Sequence, residues 1–149
     1  MATTDKQCTI CGVTKQLSSF QKNTTICNVC RRRRSKDSQS ESVRSFLKMK
    51  LQKAKSRNDK SHEVGIEVDY LMELWRLQNG MCALSGMPMA FDQDLTDRSV
   101  SIDRIDCSKG YIVGNLRLVC TYINIMRKDL LDSEFYWWCK AVAEYMYED

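Results

Sequence analysis

No apolar run in these 149 residues approaches the roughly 20 needed to cross a bilayer, which argues against a membrane protein. The opening stretch MATTDKQCTICG lacks the apolar segment of a secretory signal. The expected location is therefore intracellular, in a reducing compartment. Histidine is almost absent too. His62 is the single one, in a stretch SHEVGIEV that reads as a surface loop, so sites built from several imidazoles are excluded.

Against those absences stand eight cysteines. In a reducing compartment they favour metal binding over a disulfide framework. Cys8, Cys11, Cys27 and Cys30 form CTIC and CNVC, two CxxC pairs fifteen residues apart. Each CxxC turn sets two sulfurs about one ligand spacing apart, and four thiolates complete a tetrahedral Zn²⁺ shell. The segment is too short and polar to fold unaided, so structural zinc is expected to supply most of its folding free energy.

Charge is divided unevenly. Residues 1 to 61 hold 15 Lys and Arg against 4 Asp and Glu, giving +11, and the remainder holds 8 against 15, giving −7. A basic arm on an acidic body points to a polyanionic partner met by the N-terminal half. Arg31, Arg32, Arg33 and Arg34 follow Cys30 directly and suit phosphate contact better than packing. The alternative roles of such a run are a localisation signal or simple solvation.

The polar stretch DSQSES, residues 37 to 42, reads as a hinge or a helix start. From Ser42 to about Arg57, Val43, Phe46, Leu47, Leu51 and Ala54 recur at helical intervals among lysines, predicting an amphipathic basic helix. A second helix is predicted from Val68 or Asp69 to Asn79, with Tyr70, Leu71, Leu74 and Trp75 inward and Asn79-Gly80 as its stop. Two β-prone runs follow, Val100 to Ile105 and Asn115 to Cys120, and then helices over Thr121 to Leu131 and from Asp132 or Ser133 onward. On the last helix Phe135, Trp138, Val142, Tyr145 and Met146 share helical spacing and read as a core face, with an oligomer contact as the other use of such a face.

Strand, loop, strand, helix is the order of a ββα-metal unit. The motifs IDRID, GNLRLVC and INIMRKDL make the stretch from about Asp69 to Leu131 resemble the HNH (ββα-metal) nuclease family, in a phage-like subgroup. QNGMCALSGMPM resembles the segment that precedes the unit. The N-terminal CxxC pairs with Ser19-Phe20 resemble zinc modules attached to such nucleases.

The resemblance implies a function: metal-dependent hydrolysis of a DNA phosphodiester, one strand at a time. Asp103 and Asn124 would hold Mg²⁺ or Mn²⁺, hard cations suited to oxygen ligands. Asn115 would tie the hairpin loop and position the catalytic residues. Arg104 stands where the family usually has its general-base histidine, and an arginine stays protonated, so it would clamp phosphate instead. Asp106, Tyr111, His62 or a cation-activated water stand as replacement bases. Lys109, Arg117, Arg127 and Lys128 would add contacts to double-stranded DNA. One such site nicks, and a homodimer is one way to cut both strands.

Two other readings remain on the same residues: an HNH-fold DNA-binding or regulatory protein that no longer cuts, and an RNA-binding zinc protein. Without the surrounding motif, Asp103 and Arg104 read as an ordinary surface ion pair. Cys82, Cys107 and Cys120 fall short of a second four-ligand zinc site and read as small buried cysteines.

The expected fold class is α+β: a four-cysteine zinc module followed by a mostly helical domain containing an HNH-like ββα unit. The expected divisions are residues 1 to 36 for the zinc module with its basic tail, 37 to 66 for the basic helix and linker, and 67 to 149 for the HNH-like domain with its C-terminal helix.

Overall fold

The computed structural model describes residues 5–57, 65–91 and 97–147. His62 lies outside them. The chain forms two compact units, residues 1–42 and 43–149.

In the first unit, β1 (Asp5–Gln7) and β2 (Thr14–Gln16) pair antiparallel, with Asp5 opposite Gln16. A 3₁₀ turn at Leu17–Ser19 follows, and Cys27 bridges to Phe20. Cys8, Phe20 and Cys27 make a core of only three buried residues. That is too little apolar burial to hold a fold without a metal or other staple.

Helix α1 runs Asn28–Arg57, beginning in the first unit and ending in the second. The polar stretch 37–42 is not the helix's start; α1 passes through it. Ser, Gln, Glu and Asp cost only tenths of a kcal/mol each in a helix interior, and no Gly or Pro interrupts the run.

The second unit is built on the hairpin of β3 (Val100–Arg104) and β4 (Leu116–Cys120), antiparallel with Ile102 opposite Leu118 and Asp103 opposite Arg117. One core joins Val43, Phe46, Leu47 and Leu51 of α1, Leu71 and Met72 of α2 (Val68–Leu77), and Val100, Ile102, Leu116 and Leu118 of the hairpin. Tyr70, Leu74 and Trp75 pack against it half-buried. Gln78 fastens the end of α2 to β4, donating from Nε2 to the Leu118 carbonyl at 2.7 Å and accepting the Leu118 N–H at 3.0 Å. The turn after α2 needs left-handed backbone at Asn79 (φ 52) and Gly80 (φ 70), where a Cβ on Gly80 would sit 3.1 Å from the Trp75 ring.

Helix α3 (Thr121–Arg127) starts directly from β4 and lies against the hairpin, completing the ββα unit. It ends at Lys128, whose backbone is left-handed at φ 49. Helix α4 (Asp132–Met146) follows, with Glu134 reaching back to accept the Leu131 N–H at 2.8 Å.

The core face expected on α4 is not there. Only Phe135 is buried, whereas Trp138, Val142, Tyr145 and Met146 are 55 to 81% exposed. Helical spacing fixes which residues share a face but not whether anything covers it. Among the described residues, no helix is long and apolar enough to cross a membrane.

Candidate nuclease site and metal centre

Period-two alternation puts Ser101 and Asp103 on one face of β3, with Val119 and Arg117 opposite them on β4. Helix α3 closes over that face. Asn124 donates from Nδ2 to Ser101 Oγ at 2.8 Å, and Arg127 reaches Asp103.

Asp103 is 3% exposed, and both of its oxygens are engaged. Oδ2 receives Arg117 Nε at 2.7 Å and Oδ1 receives Arg127 Nη1 at 3.0 Å. Asp132, at the start of α4, closes the ring: it takes Arg117 Nη1 and Nη2 at 2.5 and 2.6 Å and Arg127 Nε at 3.0 Å. Two carboxylates and two guanidinium groups thus cancel in charge around a buried centre. Such a ring is stable only while all four members are present. Hydrogen bonds from Arg117 foremost, against the opposing effect of burial, hold the Asp132 carboxyl at about 2.

Arg127 is 1% exposed and also donates to the carbonyls of Arg104 (3.1 Å) and Ile105 (2.8 Å). The phosphate contacts expected of Arg117 and Arg127 are therefore corrected: both point inward, because Asp103 and Asp132 take their donors. The simple Asp103–Arg104 surface pair is not formed either, since Asp103 is buried on the opposite face of β3.

Asn115 is buried at the neck of the loop. Its Nδ2 donates to the carbonyls of Asp106 (3.1 Å) and Gly110 (3.0 Å), and its Oδ1 accepts the Asp106 N–H (3.0 Å). The Gly114 N–H donates to the Tyr70 hydroxyl at 2.8 Å, anchoring the same loop to α2. Within the loop, bonds from the Ser108 hydroxyl and then Lys109 hold Asp106 at about 2. Lys109 lies 3.1 Å from Asp106, so part of its charge is spent there.

These elements surround a polar pocket of about 140 Å³, whose walls include Asp103, Arg104, Tyr111, Asn124, Lys128 and Asp129. The Arg104 guanidinium lies over the Tyr111 ring, 5.5 Å from its centroid, and Nη1 donates to the Lys109 carbonyl at 3.3 Å. Asp129 was missed in the sequence because nothing in its spacing shows that the reversal at Lys128 turns it back to the wall.

The cation that the HNH resemblance implies is matched by the donors present. Asp103 and Asn124 line one pocket and both offer hard oxygens. Each Asp103 oxygen keeps a lone pair beyond its arginine bond. The Asn124 bond to Ser101 uses Nδ2, so Oδ1 would be the atom offered to a cation.

In the first unit the sulfurs of Cys8, Cys11, Cys27 and Cys30 all lie within 4.8 Å of one another. Sulfurs about 2.3 Å from one zinc ion would be about 3.8 Å apart, so the cluster fits a tetrahedral ion. Backbone N–H groups of Cys11 and Cys27 hold the Cys8 thiol at about 6. Lys15 Nζ lies 3.6 Å from Cys27 Sγ and adds a positive neighbour. Arg31 to Arg34 follow in the first turns of α1 and are exposed.

Cys82 and Cys120 are each 2% exposed, and the Cys120 N–H donates to Cys82 Sγ at 3.3 Å. Burial pushes the Cys82 thiol up, but bonds led by the Ser85 hydroxyl outweigh it and lower it overall. Cys120, short of donors, is pushed up to about 11, by burial first and by Cys82 second. Cys107 instead faces the carbonyls of Arg104 and Lys128.

No family model matches the chain, and no curated protein matches it significantly. Among solved structures, the rare-cutting HNH restriction endonuclease PacI, described for its mechanism of DNA perturbation, is similar in fold, with a TM-score of 0.50 and 17% identity over 94% of each chain. The chain thus carries an α+β fold similar to that of this HNH endonuclease, together with a cluster of four cysteines near its N-terminus.

Proposed function

We propose that this protein is a metal-dependent DNA endonuclease that nicks one strand of a duplex, with a structural zinc ion in its N-terminal unit. The observation that carries this reading is the convergence of Asp103, Asn124, Arg104 and Lys128 on one polar pocket, in a fold shared with an HNH endonuclease. Oxygen ligands for a cation, two cations for a phosphate and a carboxylate for a proton stand on the same wall. That is the set a phosphodiester hydrolase needs.

When bound, Mg²⁺ or Mn²⁺ would neutralise charge on the scissile phosphate and its leaving oxygen. Asp103 and Asn124 would hold it. Asn124 is oriented by Ser101, and Asp103 by Arg117 and Arg127, which makes both arginines and Asp132 positioning residues. Arg104, steadied by Tyr111, and Lys128 bind non-bridging phosphate oxygens. Asn115 keeps the loop closed, so that Arg104 stays over the pocket. Asp129 is a carboxylate on the pocket wall that takes the proton of the attacking water, a role that the permanently protonated Arg104 cannot fill. Arg31 to Arg34 supply sequence-independent phosphate contacts.

A second reading, an HNH-fold DNA-binding protein that does not cut, draws on one observation: both Asp103 oxygens already bear arginine bonds, which weakens their pull on a cation. Supercoiled plasmid with Mg²⁺ or Mn²⁺, beside Asp103→Ala and an EDTA control, separates the two. Nicked circles from wild type alone support the endonuclease. Retarded but intact plasmid under every metal sinks it in favour of the binder.

A further inference from the structure

A second cleft, of about 340 Å³, adjoins the pocket. Helix α1 presents Lys50 and Lys53 on one side of it, and β3 and α3 present Ser101, Thr121 and Asn124 on the other. Ile102, Tyr111 and Asn124 line both cavities, so the cleft lies next to the pocket that Asp103 lines.

The chemistry of this extension differs from that of the pocket. Among the described residues, its walls carry two ammonium groups, three hydroxyls and an amide and no carboxylate, a set of donors suited to a phosphate. Residues three apart share a helix face, which is why Lys50 and Lys53 both point into the cleft. The Lys50 ammonium also lies 5.1 Å from the Phe46 ring centroid, which orders its stem beside the core. Lys55, on the same helix, lies 3.7 Å from Glu67 and is not among the residues lining the cleft.

We infer that this cleft is the track for the DNA backbone flanking the bond to be cut, with Lys50 and Lys53 each contacting a phosphate on one side of the scissile position. Lysines, hydroxyls and amides are the side chains that position a nucleic-acid backbone without reading its sequence. The inference rests on the endonuclease reading for the identity of the polymer. The track itself is a matter of binding and is measurable without cleavage.

The test is binding of a fluorescein-labelled DNA duplex to the full chain in EDTA, across a salt series. Each lost phosphate contact lowers the slope of log K against log salt by about 1. The double variant Lys50→Gln/Lys53→Gln is expected to flatten the slope by about 2 and to weaken binding at least about tenfold at low salt, equally for unrelated sequences. Lys140→Gln, which removes a charge on α4 from a pair with Glu144, should leave the slope in place. Lys50→Arg/Lys53→Arg, which keeps the charge, should restore it, and that recovery separates lost contacts from misfolding.

An unchanged slope in the double Gln variant, or an equal loss in Lys140→Gln, overturns the track. So does tighter binding of single-stranded RNA than of duplex DNA in the same assay. In nicking assays the double Gln variant should raise KM with kcat kept, and a fall in kcat alone overturns it as well. A wild type that binds with the full slope but never nicks removes the endonuclease and leaves the track standing.

Discussion

Arg127 Nη1 lies 3.0 Å from Asp103 Oδ1 with both side chains almost wholly inside the protein. Removing the cation would leave Asp103 buried beside one arginine instead of two, and would strip donors from the carbonyls of Arg104 and Ile105. Arg127→Met is expected to cost about 3 to 5 kcal/mol, as for other broken buried pairs. Arg127→Lys should recover only part, since an ammonium cannot span the four oxygens the guanidinium reaches. Urea unfolding of the three proteins measures this, and a loss below about 1 kcal/mol in Arg127→Met would refute the ring as a structural element.

Acid should unlock the same ring from its outer end. The Asp132 carboxyl sits at about 2 against an ordinary 3.8, so the folded state binds its proton less readily than the unfolded chain. Its contribution to stability is complete above about pH 4 and is lost as pH falls toward 2. Asp106, also held at about 2, acts in the same direction and window. Thermal midpoints at pH 5, 4, 3 and 2 should fall more steeply in wild type than in Asp132→Asn. Parallel curves would count against the pairing.

Lys128 trades stability for position. Its φ of 49 and ψ of −114 are unfavourable for a residue with a Cβ, and strain of this kind costs on the order of 1 kcal/mol or more. Lys128→Gly should raise stability by about 1 kcal/mol. It should also lower nicking at least about tenfold by removing a cation from the pocket wall. Denaturant unfolding and plasmid nicking on one preparation test both halves; a variant that is stabilised and fully active would show that Lys128 does not contact phosphate.

The four-cysteine unit should depend on its metal and the second unit should not. Cys8→Ser or Cys27→Ser is expected to reduce bound zinc from one ion per chain to little or none, and to release the order of residues 5 to 27. The core of Val43, Leu47, Leu71 and Leu118 is separate and should unfold with its transition intact. Metal content beside amide hydrogen exchange would check this. Protection at Cys8 and Phe20 surviving zinc loss would contradict it.

Much of this protein is legible one residue at a time. The two CxxC pairs announce a metal cluster because each turn brings two thiols to one ligand spacing and the two together supply the four ligands of a tetrahedral ion. The stripes on α1 and α2 announce their buried faces because 3.6-residue periodicity places them there. Strand, loop, strand and helix come in order from β-prone runs and a turn, and Asp103, Asn115 and Asn124 lie on the ββα unit that the motifs mark out.

What the sequence does not carry is direction across distance. Arg117 and Arg127 read as surface cations until Asp132, at the start of the next helix, is seen to turn them inward. Asp129 reaches the pocket and Lys50 the neighbouring cleft only because the chain reverses at Lys128 and α1 packs against the hairpin. The apolar stripe of α4 is just as clear in the sequence as that of α1, yet one is covered and the other exposed. Periodicity and ligand spacing are local properties and are settled by the chain alone; burial, charge pairing and the convergence of a site depend on which distant segments meet, and only the tertiary structure decides them.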